Sequence, residues 1–194
     1  MNRTSKNSKR KTILQVLLLL SIPAALFPVT AREILKSLRE PDRVTITFTQ
    51  TRSLKGNKEN FFARGKIDYL SPYLKYEVNH PSQTVILTPD RIMISSPYME
   101  KTEKREGLEK VSPWEIFIQE FKTGEVTLKE DSDFWILEKK KGENIFKLLI
   151  SKKEKEVKRL EVSTPFETVV TEVTGIVKNP SLKKSHFKLP VNKK

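Results

Sequence analysis

The chain has 194 residues, of which 37 are Lys or Arg, 24 are Asp or Glu and none is Cys, for a formal net charge of +13. Without cysteine it has no disulfide framework, no thiolate metal site and no residue for lipid anchorage behind an export signal. It has two histidines, His80 and His186, and no pair at zinc-binding spacing, so a zinc centre is not expected.

Arg3, Lys6, Lys9, Arg10 and Lys11 precede a charge-free stretch from Thr12 to Ala31 that contains VLLLL and ends in Val29-Thr30-Ala31. A basic start, an apolar centre and compact residues at the −3 and −1 positions form the layout of a secretory signal peptide. About 20 such residues also suffice to cross a bilayer as an uncleaved anchor. Pro23, Pro28 and the Val-x-Ala site favour removal. Residues 1–31 are therefore expected to be a signal peptide, and 32–194 one exported domain with a real core. The leader holds five positive charges and no negative one, which leaves +8 on the domain. Its basic residues are interleaved with Glu, as in EKKKGEN and KKEKEVKR, in the manner of solvated strand edges and turns. That mixing, together with export, argues against nucleic acid.

Residues 32–40 place Ile34, Leu35 and Leu38 on one face, predicting a short amphipathic helix that ends at Pro41. In RVTITFTQTRSL, Val44, Ile46 and Phe48 alternate with Thr45, Thr47, Thr49 and Thr51, which predicts a half-buried strand. KGNK is the turn, and residues 59–70 return as a second strand. In GKIDYLSPYLKYEVNHP, Ile67 and Tyr69 share a face before Ser71-Pro72, and Leu74, Tyr76 and Val78 share one after it. QTVILT and RIMISS, separated by Pro89-Asp90, read as a further hairpin. The period then changes. Ser112, Pro113 and Glu115 form a capping-box start to a helix that runs to about Lys122. Trp114, Phe117, Ile118 and Phe121 follow the i, i+3, i+4, i+7 spacing and line one face. After Gly124, EVTLKE, DFWILEKK, NIFKLLIS, VKRLEVS and TVVTEVTGIVKN are strands joined by short turns. The pattern is an antiparallel meander in one domain.

Catalytic chemistry has little to stand on. There is no Gly-x-Ser-x-Gly elbow and no glycine-rich phosphate loop. Asp131 and Asp133 offer a metal pair, but KEDSDF reads more simply as a solvated turn, and no nucleophile, base and orienter come together. What remains is an apolar sheet face and a separate aromatic helix. A core helix explains that stripe without a ligand, whereas a sheet with a lid encloses a cavity for acyl chains.

The domain resembles the periplasmic outer-membrane lipoprotein carrier family (LolA) along nearly its whole length. The residues that carry the resemblance are Phe48-Thr49-Gln50 for the family's F-x-Q and Gly65-Lys66-Ile67-Asp68-Tyr69-Leu70-Ser71-Pro72 for its G-x-[apolar]-x-[apolar]-x-R-P. Leu74-Lys75-Tyr76-Glu77-Val78 and Pro81 follow for F-R-W-E-Y and its Pro, Pro89-Asp90-Arg91 for a hairpin, and Phe187-Lys188-Leu189-Pro190 for the closing F-x-[apolar]-x-P. The resemblance implies a mainly β protein, an incomplete antiparallel β-barrel with a short helical lid over a hydrophobic cavity. It implies a carrier that uses no cofactor and catalyses no covalent step. Such a carrier takes lipoprotein acyl chains from an inner-membrane ABC complex across the periplasm to an outer-membrane acceptor, here as an expected monomer. Mapped onto this chain, the cavity comprises Ile46, Phe48, Ile67, Tyr69, Leu74, Tyr76 and Val78, and the lid Trp114, Phe117, Ile118 and Phe121. Two departures stand out. Ser71 replaces the family's Arg, which is thought to hold the lid shut, with one short donor instead of a five-donor fork. The segment between the two prolines is also one residue shorter, which reverses side-chain facing unless the turn absorbs it.

Alternatives on the same fold are a carrier of free lipid or glycolipid and a periplasmic lipid-sensing regulator. A hydrolase would depend on His80 or His186. Lys75, Arg91 and Lys104 are candidates for docking an acidic partner.

Overall fold

The computed structural model describes residues 29–56, 59–104 and 111–189. The expected signal peptide lies almost wholly outside them, as do Asn57 and Lys58 of the first turn and Pro190 of the closing motif. Among the described residues no helix is long and apolar enough to cross a membrane.

The alternating stretches form the strands that their periodicity predicts. Helix α1 (Ala31–Ser37) leads into β1 (Arg43–Leu54), β2 (Asn60–Leu70), β3 (Tyr73–Asn79), β4 (Ser82–Leu87), β5 (Arg91–Ser96) and β6 (Met99–Lys104). Helix α2 (Glu115–Ile118) and a 3-10 turn (Gln119–Phe121) follow, then β7 (Thr127–Glu130), β8 (Phe134–Lys141), β9 (Asn144–Ser151), β10 (Val157–Ser163) and β11 (Glu167–Lys178). All eleven strands belong to one antiparallel sheet in the order β6-β5-β4-β3-β2-β1-β11-β10-β9-β8-β7. β6 and β7 are free edges, so the barrel is incomplete, and β1 against β11 is the seam joining its two halves.

Three expectations need correction. Helix α1 ends at Ser37 rather than near Pro41. The Ser37 hydroxyl donates to Ile34 O (2.8 Å), and Arg39 N–H leaves the helix to donate to Lys155 O (2.9 Å), pinning the chain to the turn before β10. Strand β6 was not predicted. MEKTEK has no apolar alternation because every residue in it is exposed, and the strand holds to β5 through its backbone ladder. The third concerns α2, which makes one α-helical turn and one 3-10 turn instead of running on to Lys122. Ser112 Oγ accepts the Trp114 N–H (3.2 Å), but the Glu115 carboxylate pairs with Lys122 Nζ (2.6 Å) and does not close the capping box. The nine residues after Ser112 cannot repay helix nucleation on their own, so packing of the aromatic stripe decides their shape.

The core lies on the inner face of the sheet. Cross-strand neighbours share a face, and here Ile46 opposes Ile67 and Ile176, Tyr69 opposes Leu74, Tyr76 opposes Ile67, and Leu137 opposes Leu148. The Ser71-Pro72 turn thus absorbs the shortened segment and keeps Ile67, Tyr69, Leu74 and Tyr76 on one side. Phe48 opposes Gly65, and its ring lies over that glycine. A Cβ built at Gly65 falls 2.0 Å from Phe48 Cζ and 2.7 Å from Glu77 O. On the other side of β1 the register with β11 slips between Thr47 and Phe48, a bulge that bends the sheet at the seam.

Gly65→Ala should cost about 1–3 kcal/mol of unfolding free energy, as overpacking of a filled core does. Urea midpoints will show this. The Gly65→Ala/Phe48→Leu pair should recover part of the loss, because the smaller side chain vacates the space above residue 65. Equal midpoints for wild type and Gly65→Ala would refute the assigned contact.

Candidate functional site

The inner face near the start of β1 is filled by the aromatic segment. Trp114, Phe117, Ile118 and Phe121 are all buried and belong to one cluster with Ile34, Val44, Ile46, Phe48, Ile67, Tyr69, Leu74, Leu137, Leu148 and Ile150. Phe48 stacks on Tyr76 (centroids 5.4 Å apart, 12° between planes) and meets Phe117 edge-on (6.4 Å, 88°). Trp114 tilts against Phe117 at 6.3 Å. The residues expected to line a cavity and those expected to cover it therefore touch directly, except that Val78 lies further along β3, buried opposite Gly65. In this arrangement the aromatic segment is a plug seated on the sheet.

Few polar bonds hold the plug. The Trp114 indole Nε1–H donates to Arg39 O (2.7 Å), tying it to the chain leaving α1. Lys139 reaches across from β8, where its ammonium donates to Glu120 O and to Thr123 O (2.7 Å) at the end of the 3-10 turn. A Cβ built at Gly124 would lie 3.6 Å from Lys139 Cε and Nζ, an ordinary contact, so it is the left-handed backbone there (φ 74°) that favours glycine. Only 8% of Lys139 is exposed. Carbonyl oxygens at a helical C-terminus carry partial negative charge, which suits a cation. In sequence Lys139 belongs to the run EKKKGEN, which has the look of a solvated strand edge. Its position two residues beyond Leu137 on an alternating strand is the signal that would have found it. Ser71, at the position of the family's Arg, is half-buried and uses its backbone N–H on Asp42 O (3.0 Å).

Beyond Phe48 the same face turns polar. Gln50 Nε2 donates to Thr171 Oγ1 (3.1 Å) and makes a long contact with Tyr76 OH (3.5 Å). Burial of the Tyr76 phenol raises its pKa above the usual 10.0, with the Gln50 contact opposing that shift. Past this layer lies a cleft of about 720 Å³ lined by Leu54, Phe61, Ala63, Pro81, Val169 and the Arg52–Glu167 ion pair, among others.

The other candidates are dispersed. His80 borders the cleft, whereas His186 approaches Asp68 Oδ2 (3.6 Å) near the other end of β2. Asp131 Oδ1 accepts the backbone N–H groups of Asp133 (2.9 Å) and Phe134 (2.7 Å), a turn-forming role. Among the described residues no three potential metal ligands converge. Lys75 pairs with Glu77 (2.8 Å) and Arg91 with Asp90 (2.8 Å), while Lys104 is exposed opposite Arg91 on the β6 edge.

The architecture is an open antiparallel barrel with short helices on its inner face. No family model matches the chain, and no curated protein matches its sequence. Among solved structures it is similar to a LolA superfamily protein from Nitrosomonas europaea (TM-score 0.45, 11% identity, covering 83% of this chain and 98% of that one). It is also similar to a DUF1329 family protein from Desulfovibrio piger (TM-score 0.48, 10% identity, 82% and 94%). In the MucA/MucB complex of Pseudomonas aeruginosa the similarity has a TM-score of 0.47 at 13% identity over 81% of this chain, which spans 60% of that chain's length. These are likenesses of fold alone.

Lys139→Met keeps the aliphatic stem and removes the two bonds to plug carbonyls. Hydrogen exchange across residues 119–124 should accelerate about tenfold or more, in line with a loss of about 1–3 kcal/mol, while the β1–β11 seam stays protected. Tyr76→Phe tests the polar layer. Because the folded-state pKa lies above the unfolded one, the phenol's contribution is complete below about pH 10 and disappears as pH rises through the folded value. Wild type should therefore lose more stability than Tyr76→Phe between about pH 9 and pH 11, measured by urea midpoints.

Proposed function

We propose that this protein is a non-catalytic periplasmic carrier. It takes lipoprotein acyl chains into the inner face of its half-barrel at an inner-membrane ABC complex and delivers them to an outer-membrane acceptor. The observation that carries this reading is the plug. An aromatic segment of two short turns covers the apolar sheet through side-chain contact, three hydrogen bonds to backbone carbonyls, from the Trp114 indole and Lys139, and the Lys141–Glu120 ion pair. Apolar contact is non-directional, so methylenes can replace aromatic rings on the sheet without a matching pattern of donors and acceptors.

Magnitudes support exchange. Burying four large apolar side chains is worth about 6–12 kcal/mol at 1.5–3 each. A sixteen-carbon chain at about 0.8 kcal/mol per methylene gains on the order of 10 kcal/mol. One acyl chain and the plug are near balance, so a chain of the cargo can displace the plug from the sheet.

The test is native mass spectrometry with lipid extraction on protein recovered from the periplasm of cells expressing the full chain. Co-purifying triacylated lipoproteins are expected. Trp114→Asp and Ile118→Asp should each lower the extraction of lipoproteins from inner-membrane vesicles by about tenfold, given the cost of burying a carboxylate among acyl chains. Free phospholipid or glycolipid in place of lipoprotein would change the cargo. Protein that is empty and extracts nothing would end the carrier reading.

A further inference from the structure

The cleft end of the barrel carries a second feature that the carrier reading does not use. Phe61, Phe62 and Phe166 are 52%, 70% and 79% exposed, whereas Phe48, Phe117 and Phe121 lie in the core. The register gathers the three. Phe61 opposes Arg52 and Phe62 opposes Thr51 at the start of β2, while Glu167 opposes Leu54. Lys55 N–H donates to Phe166 O (2.8 Å), joining the β1–β2 turn to the β10–β11 turn. Phe61 and Phe62 both border the cleft, and Phe166 sits on its turn. The stretch from Arg52 to Arg64 holds four basic residues and one acidic one. Lys55 and Arg64 are exposed, and Arg52 is neutralised by Glu167.

We propose that this rim docks the protein onto the interface of an anionic phospholipid membrane, with the three phenylalanines wedged at headgroup depth and the basic residues over lipid phosphates. The placement of the rings decides between partners. Phe61 and Phe62 edge the mouth of a cleft and Phe166 stands on a separate turn, so they do not make the flat, contiguous patch that a folded protein would cover. A fluid interface closes around each ring separately. The excess of positive charge matches anionic lipid, worth about 1 kcal/mol per basic residue near such a surface, and it opposes pairing with a second copy through the same rim. Docking in this pose sets the mouth of the cleft against the membrane.

The experiment uses protein recovered from the periplasm of cells expressing the full chain, so that the N-terminus is the one the cell leaves. It does not depend on which cargo the protein carries. Phe62→Trp places a reporter on the rim, read as the difference on the same vesicles from the unaltered protein, whose native Trp114 and Trp135 are buried. Its emission should shift to the blue on vesicles of phosphatidylethanolamine with phosphatidylglycerol and stay unshifted on phosphatidylcholine. Co-sedimentation of the unaltered protein with the anionic vesicles should weaken with added salt. It should fall about tenfold in Phe61→Ser/Phe62→Ser/Phe166→Ser and in Lys55→Glu/Arg64→Glu, as loss of both the wedge and the charge term requires. The altered side chains are exposed, and an unchanged thermal midpoint checks the fold. No shift and no sedimentation on either lipid would overturn the proposal, as would equal binding by the serine variant. Binding only to native membranes, abolished by shaving their proteins with protease, would assign the rim to a membrane protein and overturn it too.

Discussion

The ring of Phe48 over Gly65 is the contact on which the rest of the structure depends. The sheet has two halves, β1–β6 and β7–β11, and among the described residues their backbone ladders join at the β1–β11 seam. Phe48 stands on that seam beside the bulge, with Gly65 on one flank and Val173 on the other. Because strand side chains alternate, turning Phe48 inward also turns Val44, Ile46 and Gln50 inward and fixes the apolar face for the whole sheet. Its ring then meets Tyr76 from β3 and Phe117 from the plug, so one side chain connects sheet curvature with plug docking. Any side chain at position 65 would push the ring into the plug's place.

The way the plug is held follows from the same geometry. A long helix would bury its own backbone bonds and bring its own rigidity. Two short turns leave unsatisfied carbonyls at their end, and Lys139 answers two of them from the far half of the sheet. On the near side the Trp114 indole is bonded to Arg39 O, and on the far side the polar restraint comes from Lys139 of β8. Both halves of the open barrel are then tied to the plug, the near half by Phe48 and the far half by Lys139, so spreading the barrel loosens both ties together.

Much of this was legible in the sequence because period-two alternation is a strong signal wherever one face is buried. β1, β9 and β10 have the bounds that their patterns give, and Ile46, Phe48, Ile67, Tyr69 and Leu74 share an inner face as expected. Legibility failed where burial was not one-sided. β6 has no apolar face to announce it, and Lys139 lies inside a run of charges of which its neighbours Lys140 and Lys141 are exposed. The capping box was a correct local pattern overruled by packing. Glu115 found Lys122, and the aromatic stripe set how far the helix ran. Sequence also grouped the cavity and lid residues as two surfaces across a space, whereas the contact between them depends on tertiary closeness that no spacing encodes.

Along β1 the inner face changes character in order: Val44, Ile46 and Phe48 in the packed core, Gln50 in a hydrogen-bonded layer, then Arg52 in an ion pair at the cleft. That gradient has a physical consequence for an amphiphile. An acyl chain is most stable against the apolar end, and its glycerol or peptide end requires donors and acceptors. Gln50, Thr171, Arg52 and Glu167 supply these only on the cleft side. On the proposed carrier reading, a bound amphiphile would be oriented with its polar end toward the rim of exposed phenylalanines. The Tyr76–Gln50–Thr171 layer lies between that end and the core. It separates core from cleft with weak bonds, one of them at 3.5 Å, so it excludes water from the core without sealing the barrel.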